Sequence, residues 1–505
     1  MIRRVQIEGN KVYTEDELKA LTEARPGEYY DRNVIQADIE RIRDYYGARG
    51  RLVPVAEKVY LNEDAPGEVF VHYEIHEREP ARVGRIIIQG NTVTRDNVIL
   101  RQVPLYPGQI LSYPDLITAE QNLARLGIFA VDPAAGVRPT VTVLEPETDS
   151  PFKDILVQVQ EQPTGSFMLG LGVNSNAGLS GSIVLNERNF DITRFPTSFE
   201  EILAGRAFRG AGQEFRLEAV PGTIFQRYSA SFREPSVFDS PFSLATSIYY
   251  FTRGYAEYNE NRYGGRLTVG RQITPIWSTF GTLRVEGINI HDVPIHAPFE
   301  IRRFVGDSFL LGLRAGVTRD TRDSFLRPTT GSLFEASFEQ AFGDDTFPLG
   351  TVEATRYWTT YQRIDGSGKH VLALRTQASW AGPDTPIYEQ FFAGGFGSIR
   401  GFEFRGVGPF ENGFNTGGRF AFLNSLEYQI PILANDRVFF VSFLDSGAVE
   451  STTTIRDYRV TAGVGLRLAV PGMGPVPIAL DFGFPIVKGP GDREQIFAFW
   501  LGFFN

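Results

Sequence analysis

Residues 459–468 read Arg459-Val460-Thr461-Ala462-Gly463-Val464-Gly465-Leu466-Arg467-Leu468, an alternation of aliphatic side chains with arginine, threonine and glycine. A period of two is typical of a β-strand, because successive side chains point to opposite faces. Arg459 and Arg467 cannot point into an apolar core, and the aliphatic residues of the other face cannot all face water. A closed barrel with lipid outside and a polar lumen satisfies both conditions.

The same alternation runs through most of the chain after residue 163. In the first such segment, one face carries Phe167, Leu169, Leu171 and Val173, and the other carries Gly170, Gly172 and Asn174. Between Ser166 and Phe504 we count sixteen candidate strands, an even number as single-chain outer-membrane barrels require. The fold class predicted for residues 164–505 is therefore a transmembrane β-barrel of antiparallel strands. The alternative is a soluble β-sandwich or jelly roll, whose outward faces would not carry Val, Leu and Phe so consistently.

Two segments interrupt the alternation. Residues 382–418 are rich in Gly and Phe and are predicted to form a long loop. Residues 191–212 form the second interruption, in which Phe199–Leu203 has the composition of a short helix. Neither segment continues the strand pattern on either side of it.

The composition excludes several other classes of protein. The chain has 505 residues, including 52 Gly, 41 Phe and 20 Tyr, and no stretch approaches the roughly 18 apolar residues that a membrane helix needs. The absence of cysteine excludes disulfide scaffolds, Cys-ligated zinc and thiol catalysis. A net charge of -10 argues against a nucleic-acid partner, which would need a basic surface.

The first 163 residues contain a duplication. Gly9-Asn10 recurs as Gly90-Asn91 and Pro26-Gly27 recurs as Pro107-Gly108, both at an offset of 81 residues (Asn10 to Asn91, Pro26 to Pro107). Each copy has the order strand, helix, helix, strand, strand, which predicts two small α+β domains over 1–78 and 79–163. A β-α-α-β-β sheet of this kind leaves an edge strand open, and an open edge can accept a strand from another chain.

The start of the chain shows no targeting segment. Met1 to Ile7 run directly into a strand pattern, without a charged region, an apolar core and a cleavage site. We therefore expect no signal peptide here, and an exported protein would be present in mature or truncated form. The number of N-terminal domains in the full protein is left open by the sequence.

Several motifs along the barrel region carry a resemblance to a known family. They are Phe167–Phe190, Ile399-Arg400-Gly401-Phe402, Ser425-Leu426-Glu427-Tyr428 and Phe443-Leu444-Asp445-Ser446-Gly447. In this order they resemble the first hairpin, the inward-loop VRGF motif and two strand motifs of the BamA-like outer-membrane assembly factors. That family joins POTRA domains to a sixteen-stranded barrel, and the two N-terminal repeats resemble POTRA domains. The resemblance implies that the 382–418 loop folds back into the barrel.

The residues themselves provide the inward loop with partners. Glu427 lies on the polar face of its strand, and Asp445 lies on the polar face of the next one. An arginine carried inward at position 400 would reach both carboxylates, because a planar guanidinium can serve two acceptors. The candidate site therefore comprises a loop motif with its lumen partners: Ile399, Arg400, Gly401 and Phe402, with Glu427, Phe443, Asp445 and Gly447.

The resemblance also implies a lateral seam between the first strand (Ser166–Asn174) and the last strand (Gln495–Phe504). The seam residues predicted on this basis are Phe167, Gly170, Gly172, Phe497, Phe499 and Phe503. Gly170 and Gly172 leave little side-chain packing at the seam, which is a physical reason for weak closure.

No catalytic constellation is recognisable in the sequence. The chain contains no G-x-S-x-G, H-E-x-x-H or P-loop motif. His72 and His76 share one face of a predicted strand and are interpreted as part of a solvated sheet face rather than as metal ligands. We therefore expect no enzymatic activity, no cofactor and no bound metal.

By the resemblance, the leading hypothesis is an insertase of the cell outer membrane that folds and inserts β-barrel precursors, with its N-terminal domains in the periplasm. These domains would bind precursor strands, and the seam would open sideways. The expected partners are unfolded outer-membrane protein precursors, periplasmic lipoprotein accessory subunits of a Bam-type complex and membrane lipid. The alternative is a translocation pore of the two-partner-secretion type, which usually starts with a plug helix that Met1 onward does not show. A passive porin is a more distant option, because it would not need the duplicated domains.

Overall fold

The computed structural model describes residues 1–62, 65–132, 135–144, 150–203, 205, 207–433, 435–468 and 478–501. The chain divides into two units, one of Met1–Thr164 with Arg188–Gly212 and one of Gly165–Glu187 with Gln213–Asn505. In the described part of the chain, no helix has the length and apolar character needed to cross a membrane.

The first N-terminal domain consists of β1 (Ile2–Glu8), α1 (Glu15–Leu21), α2 (Arg32–Gly47), β2 (Val55–Leu61) and β3 (Val69–Ile75). A capping box starts α1, since the Thr14 hydroxyl accepts from the Glu17 amide and the Glu17 carboxylate accepts from the Thr14 amide. β3 pairs in parallel with β1 and antiparallel with β2, so β1 and β2 are the two edges of the sheet. Both helices bury their apolar residues, Leu18 and Ile35 among them, in one core with Val71 of β3.

The second domain repeats this order. It consists of β4 (Arg82–Gln89), α3 (Asp96–Leu100), α4 (Tyr113–Arg125), β5 (Thr140–Leu144) and β6 (Phe152–Gln158). Its sheet has the order β4-β6-β5, again with the last strand in the centre. The predicted pair of β-α-α-β-β domains is confirmed.

A glutamate closes the Gly-Asn turn in each domain. Glu77 accepts from the amides of Lys11 and Val12 (2.9 and 3.0 Å). Glu161 accepts from the Val93 and Thr94 amides (3.0 and 2.6 Å) and also from the Thr92 hydroxyl (2.6 Å). Burial opposes ionisation of Glu161, but these hydrogen bonds outweigh it and lower the pKa of the carboxyl group to about 2. The charged form of Glu161 therefore stabilises the turn.

We expect this turn to loosen in acid. The pKa of Glu161 in the folded domain lies below its ordinary value of 4.5, so the stabilisation is present above that value and is lost as the pH falls toward 2. Hydrogen exchange should show protected Val93 and Thr94 amides above about pH 5 and reduced protection near pH 3, after correction for intrinsic rates. Glu161→Gln should show low protection at both pH values. The same pH dependence in both proteins would contradict the assignment.

The elements after the second domain are, in chain order, β7 (Gly165–Asn174), β8 (Gly178–Phe190), α5 (Phe199–Leu203), β9 (Gln213–Val220), β10 (Phe225–Glu234), β11 (Phe242–Gly254), β12 (Asn259–Gln272), β13 (Trp277–His291), α6 (Phe299–Arg302), β14 (Gly306–Asp320), β15 (Gly331–Gly343), β16 (Phe347–Tyr361), β17 (His370–Ala381), β18 (Gly401–Phe402), β19 (Phe410–Glu411), β20 (Phe414–Asn415), β21 (Phe420–Pro431), β22 (Val438–Glu450), β23 (Arg459–Leu468), β24 (Ile478–Val487), β25 (Glu494–Gln495) and β26 (Phe497–Leu501). Within the described ranges, sixteen of these strands close into one antiparallel barrel. The short strands β18, β19, β20 and β25 are not part of the barrel wall, and β26 closes the wall onto β7. The predicted barrel is confirmed.

The stretch that predicted the barrel is β23. Val464 and Leu466 are exposed on its outer face, whereas Arg459 and Arg467 are buried on its inner face. Gly463 and Gly465 lie between these arginines and leave room for neighbouring side chains. A Cβ at Gly463 would collide with the ring of Phe443, and a Cβ at Gly465 would collide with the Asp481 carboxylate. The glycines of the alternation are therefore required by the packing of the lumen.

The segment 191–212 contains α5, the short helix predicted there. The segment contacts the second N-terminal domain, where the Arg95 amide donates to the Gly210 carbonyl (2.8 Å). Just before the segment, the side-chain amide of Asn189 in β8 donates to the Thr94 hydroxyl (2.9 Å). The sequence did not predict this contact, because hydrogen bonds between segments far apart in the chain leave no periodic signal.

Candidate functional site

The long segment between β17 and β21 lies inside the barrel. Ile399 and Phe402 are buried in a small apolar cluster with Val407 of the same segment and Val449 of β22. Gly401 has φ +92° and passes so close to β24 that a Cβ would lie 3.0 Å from the Gly483 carbonyl oxygen. Only glycine combines this backbone conformation with such a close approach. The loop motif is therefore held by its apolar residues and by its glycine as well as by its arginine.

Arg400 contacts both of the carboxylates that the sequence assigned to it. Its Nε and Nη2 donate to the two oxygens of Asp445 (2.7 and 2.8 Å), and its Nη1 donates to Oε2 of Glu427 (2.7 Å). The Ser425 hydroxyl donates to Asp445 Oδ1 (2.7 Å) and accepts from Arg400 Nη2 (3.2 Å). The guanidinium lies over the ring of Phe443, 3.5 Å from its centroid. Arg400 is thus bidentate to Asp445 and donates in addition to Glu427 and to the Ser425 hydroxyl.

The register of two neighbouring strands brings these partners together. β21 pairs with β22 so that Ser425 lies opposite Asp445 and Glu427 lies opposite Phe443. Opposite residues share a face, so all four side chains point into the lumen, as two neighbouring cross-strand pairs. Gly447, the last residue of the predicted set, has no room for a side chain because a Cβ there would collide with the Phe422 carbonyl oxygen.

Two further charged residues, Asp481 and Arg467, belong to this cluster; the sequence indicated the lumen side of Arg467 but did not assign either residue to the site. Asp481 of β24 accepts from Arg467 at both oxygens (2.6 and 3.0 Å) and lies 3.8 Å from Nη1 of Arg400. Arg467 also lies 3.8 Å from Glu427, so it bridges the two carboxylates. The only available signal for Asp481 was a single acidic residue within the apolar alternation of Ile478–Val487.

A second ionic cluster holds the start of the same loop. Glu389, in the short helix Ile387–Glu389, accepts from Arg262 Nη1 of β12 (2.6 Å) and from Arg284 Nη2 of β13 (3.0 Å). Arg284 also donates to Glu339 of β15 (2.6 Å). These side chains are almost completely buried, where each charge requires a partner. The sequence did not predict this cluster, because Glu389 lies in a segment without periodicity.

Arg405 fixes the loop at a third place. Its guanidinium lies 3.5 Å from the ring centroid of Tyr255 and 3.8 Å from that of Phe392, and its Nη1 donates to the Tyr258 hydroxyl (3.1 Å). Tyr255 and Tyr258 belong to the connection between β11 and β12. Since Glu389 and Arg405 bind to β11–β13 and Arg400 binds to β21 and β22, the loop crosses the lumen between distant parts of the wall.

Among the described residues, the first and last barrel strands pair at two register positions. Trp500 pairs with Asn174, Leu501 pairs with Val173, and the Ser175 amide donates to the Phe499 carbonyl (3.1 Å). On its other side, β7 pairs with β8 from Gly165 to Asn174. In the described part of the chain, the rest of β7 therefore has no partner on its β26 side.

The predicted seam residues lie at different places in this junction. Phe167, Gly170 and Gly172 lie on the part of β7 that has no described β26 partner. Phe497 and Phe499 pair with β24, and Phe503 lies outside the described residues. The inward loop also reaches this junction: the Phe396 ring lies 6.1 Å from that of Trp500, and β18 pairs with β25 directly before β26. The loop and the last strand are therefore in contact.

Comparison with known proteins identifies both parts of the chain. The family model described as "Omp85 superfamily domain" matches residues 207–505, and the POTRA model, described as "Surface antigen variable number repeat", matches 1–78 and 81–162. Outer membrane protein assembly factor BamA of Nitratidesulfovibrio vulgaris is 26% identical over 97% of this chain and 60% of its own length. Sorting and assembly machinery component 50 homolog B of Xenopus laevis is 25% identical over 71% of this chain and 73% of its own length.

Two solved structures share the fold. BamA from Haemophilus ducreyi lacking POTRA domains 1-3 has a TM-score of 0.71 at 21% identity, covering 98% of each chain. CdiB from Acinetobacter baumannii has a TM-score of 0.58 at 14% identity, covering 99% of this chain and 89% of its own. The present chain spans 60% and 63% of the length of two BamA relatives that it matches. With its POTRA repeats and a barrel domain matched over most of its length, the chain belongs to the Omp85 superfamily.

Proposed function

We propose that the protein folds β-barrel precursors and inserts them into the outer membrane. The observation that carries the proposal is the short pairing of β7 with β26 in the described chain. An unpaired strand edge is a template for main-chain hydrogen bonds with another strand. Among the described residues, Gly165–Gly172 offer such an edge on the β26 side of β7, so release of the bonds described at residues 173–175 would let a precursor strand add to β7.

The environment of the protein agrees with this role. The barrel lies in the outer membrane and the N-terminal domains lie in the periplasm. Strand addition forms and breaks only hydrogen bonds, so we infer that the protein is not an enzyme and needs no cofactor. The loop that crosses the lumen favours a folding role over that of a passive porin, since a porin requires an open channel.

The first N-terminal domain offers a second strand edge. The Asn62 amide donates to Glu68 and the His76 amide donates to Pro54, which fixes the even-numbered residues of β2 as those bonded to β3. The amides of the odd-numbered residues, Val59 among them, therefore point away from the sheet. In the second domain the equivalent edge is partly occupied, because Glu120 accepts from the Val141 amide (2.9 Å). We infer that precursor segments bind at β2.

Val59→Pro should weaken precursor binding without disturbing the sheet. Proline removes one outward donor and leaves the bonds between β2 and β3 intact, and edge strands tolerate it. The loss of a main-chain hydrogen bond should raise the dissociation constant of an extended precursor peptide by about fivefold to tenfold, measured by fluorescence anisotropy. Val59→Thr, which keeps the amide, is the matched control. Unchanged affinity in Val59→Pro would exclude strand addition at β2.

Within this proposal the partners are unfolded barrel precursors, membrane lipid and periplasmic lipoprotein subunits of a Bam-type complex. The support for the subunits is the similarity to relatives that are named assembly factors. Purification of the tagged protein from its own outer membrane in mild detergent, followed by mass spectrometry, tests this part. Recovery of the protein without any lipoprotein would contradict it.

The test of the function itself is reconstitution. The full chain is placed in liposomes, a urea-unfolded barrel protein is added, and insertion is followed by protease protection and heat-modifiable gel mobility. Insertion should be faster than in liposomes without the protein. Equal rates in both would contradict the proposed function.

A further inference from the structure

Three arginines face outward at one rim of the barrel. Arg271 of β12, Arg319 of β14 and Arg356 of β16 occupy the same strand faces as the outward-facing residues Val269, Val317 and Val352. Each lies in the second half of its strand, and the antiparallel order places these strand ends at the rim where β7 begins. Because the N-terminal domains precede β7, this is the periplasmic rim.

These three arginines lack the carboxylate partners that several lumen arginines have. Arg262, Arg284 and Arg400 each contact a carboxylate. Among the described residues the outward three form no ion pair, and Arg319 donates to the Ser332 hydroxyl (3.2 Å). Their positive charge is therefore available to bind an anionic group outside the protein.

Each of the outward guanidinium groups lies near an aromatic ring. The distances to the ring centroids are 5.3 Å for Arg271 and Phe242, 6.0 Å for Arg319 and Trp277, and 5.2 Å for Arg356 and Trp358. A guanidinium that rests against a ring keeps the N–H donors of its edge available for an oxyanion. Tryptophan at such a position is typical of the boundary between membrane and water.

The depth of these arginines in the membrane determines which groups they can contact. A lipid-facing arginine is strongly destabilising at the bilayer midplane and is tolerated near the interface. At the rim, the anions within reach are the phosphodiester groups of phospholipids, whose oxygens match the guanidinium fork. At the opposite ends of β12 and β14 the same faces carry Asn261, Tyr263 and Asp307, so the positive charge is confined to one rim.

The position around the barrel is also restricted. β12, β14 and β16 are the sixth, eighth and tenth strands of the wall, whereas β7 and β26 are the first and the sixteenth. On β7 and β26 the exposed outward residues are apolar, as Leu169 and Leu501 illustrate. In the described part of the barrel, the wall opposite the seam therefore carries these charges, and the outer faces of β7 and β26 carry none.

We propose that Arg271, Arg319 and Arg356 form a belt that binds phospholipid phosphate groups and holds the wall opposite the seam at the level of the periplasmic headgroups. The belt acts by charge-assisted hydrogen bonds to phosphodiester oxygens, with the aromatic rings orienting the guanidinium groups. It does not depend on the proposed insertase activity, because any barrel with this rim would be held in the same way.

The test uses the full chain, folded in a nonionic maltoside micelle that contains no phosphate. Dihexanoyl phosphatidylglycerol is titrated in, and binding is followed by tryptophan emission and by lipid adducts in native mass spectrometry. The triple variant R271Q/R319Q/R356Q should bind this lipid about tenfold more weakly or worse, because charge-assisted hydrogen bonds are lost. The variant R271K/R319K/R356K keeps the charge and should retain most of the binding, which separates loss of contact from misfolding.

The control R3Q/R302Q/R456Q removes the same amount of charge from exposed arginines elsewhere and should bind like the unaltered protein. Equal weakening in this control would show a general effect of net charge and would overturn the belt. Inorganic phosphate at the same concentration should not displace the lipid. Displacement by inorganic phosphate would show that the site binds a free ion and would overturn the lipid belt. Unchanged lipid binding in R271Q/R319Q/R356Q would show that these arginines do not bind the lipid and would also overturn it.

Discussion

Oxidation of a Val173→Cys/Leu501→Cys variant should abolish insertion of barrel precursors, and reduction should restore it. Val173 and Leu501 are register partners in the ladder between β7 and β26. Partners across an antiparallel ladder lie about 4.5–5.5 Å apart at Cα, within the span that a disulfide bridges. The chain contains no cysteine, so the engineered pair has no competing thiol. A covalent bond here keeps the seam closed and removes the edge to which a precursor would add.

The control for this experiment is a disulfide within the closed wall. Leu283 and Leu313 are register partners on β13 and β14, and both are exposed on the outer face. The oxidised Leu283→Cys/Leu313→Cys variant should insert precursors at the rate of the unaltered protein, measured in the same liposome assay. If the oxidised seam variant were equally active, precursors would not enter through the seam, and the proposed mechanism would be wrong.

The sequence predicted those features that repeat with a short period. The lumen positions of Glu427 and Asp445 followed from alternation within single strands, and the inward course of Arg400 came from the resemblance. Asp481 was missed because its contact with Arg467 depends on how β23 and β24 are paired. Glu389 was missed for a different reason: it lies in a segment without periodicity, and its partners Arg262 and Arg284 are more than a hundred residues away in the chain.

The pairing at the seam also could not be predicted from the sequence. The sequence identified β7 and β26 as the first and last strands, yet the extent of their pairing depends on residues at opposite ends of the barrel region. A pattern within one strand contains no information about that pairing. Such long-range register becomes visible only in the folded chain, which is why the paired residues Asn174 and Trp500 were not among the predicted seam residues.

Arg400→Ala should release the inward loop and lower both the stability of the barrel and its insertase activity. Arg400 is 6% exposed and is the bidentate partner of Asp445, which is completely buried. Removing one member of a buried ion pair costs about 3–5 kcal/mol, because the remaining charge keeps its desolvation penalty without its partner. Ser425 still donates one hydrogen bond to Asp445, and Arg467 remains bound to Asp481, so the damage should centre on the loop motif.

The matched control is Arg375→Ala. Arg375 lines the same cavity of about 730 Å³ as Arg400 and pairs with Glu353, but its side chain is 45% exposed. A partly solvated pair of this kind contributes about 0–1 kcal/mol, so this variant should differ little from the unaltered protein. The measurements are the temperature at which the folded band is lost on gels, protease cleavage within 382–418 and the rate of precursor insertion.

Arg400→Lys distinguishes the geometry of the contact from its charge. An ammonium group could pair with Asp445 or with Glu427, but it lacks the planar fork that serves both at once. Stability should therefore be recovered in part, while protease cleavage of the loop should remain above the level of the unaltered protein. Full recovery by lysine would mean that a single positive charge in the lumen is sufficient. If Arg400→Ala behaved like Arg375→Ala, the contacts at Glu389 and Arg405 would hold the loop without Arg400, and the role assigned to the motif would have to be abandoned.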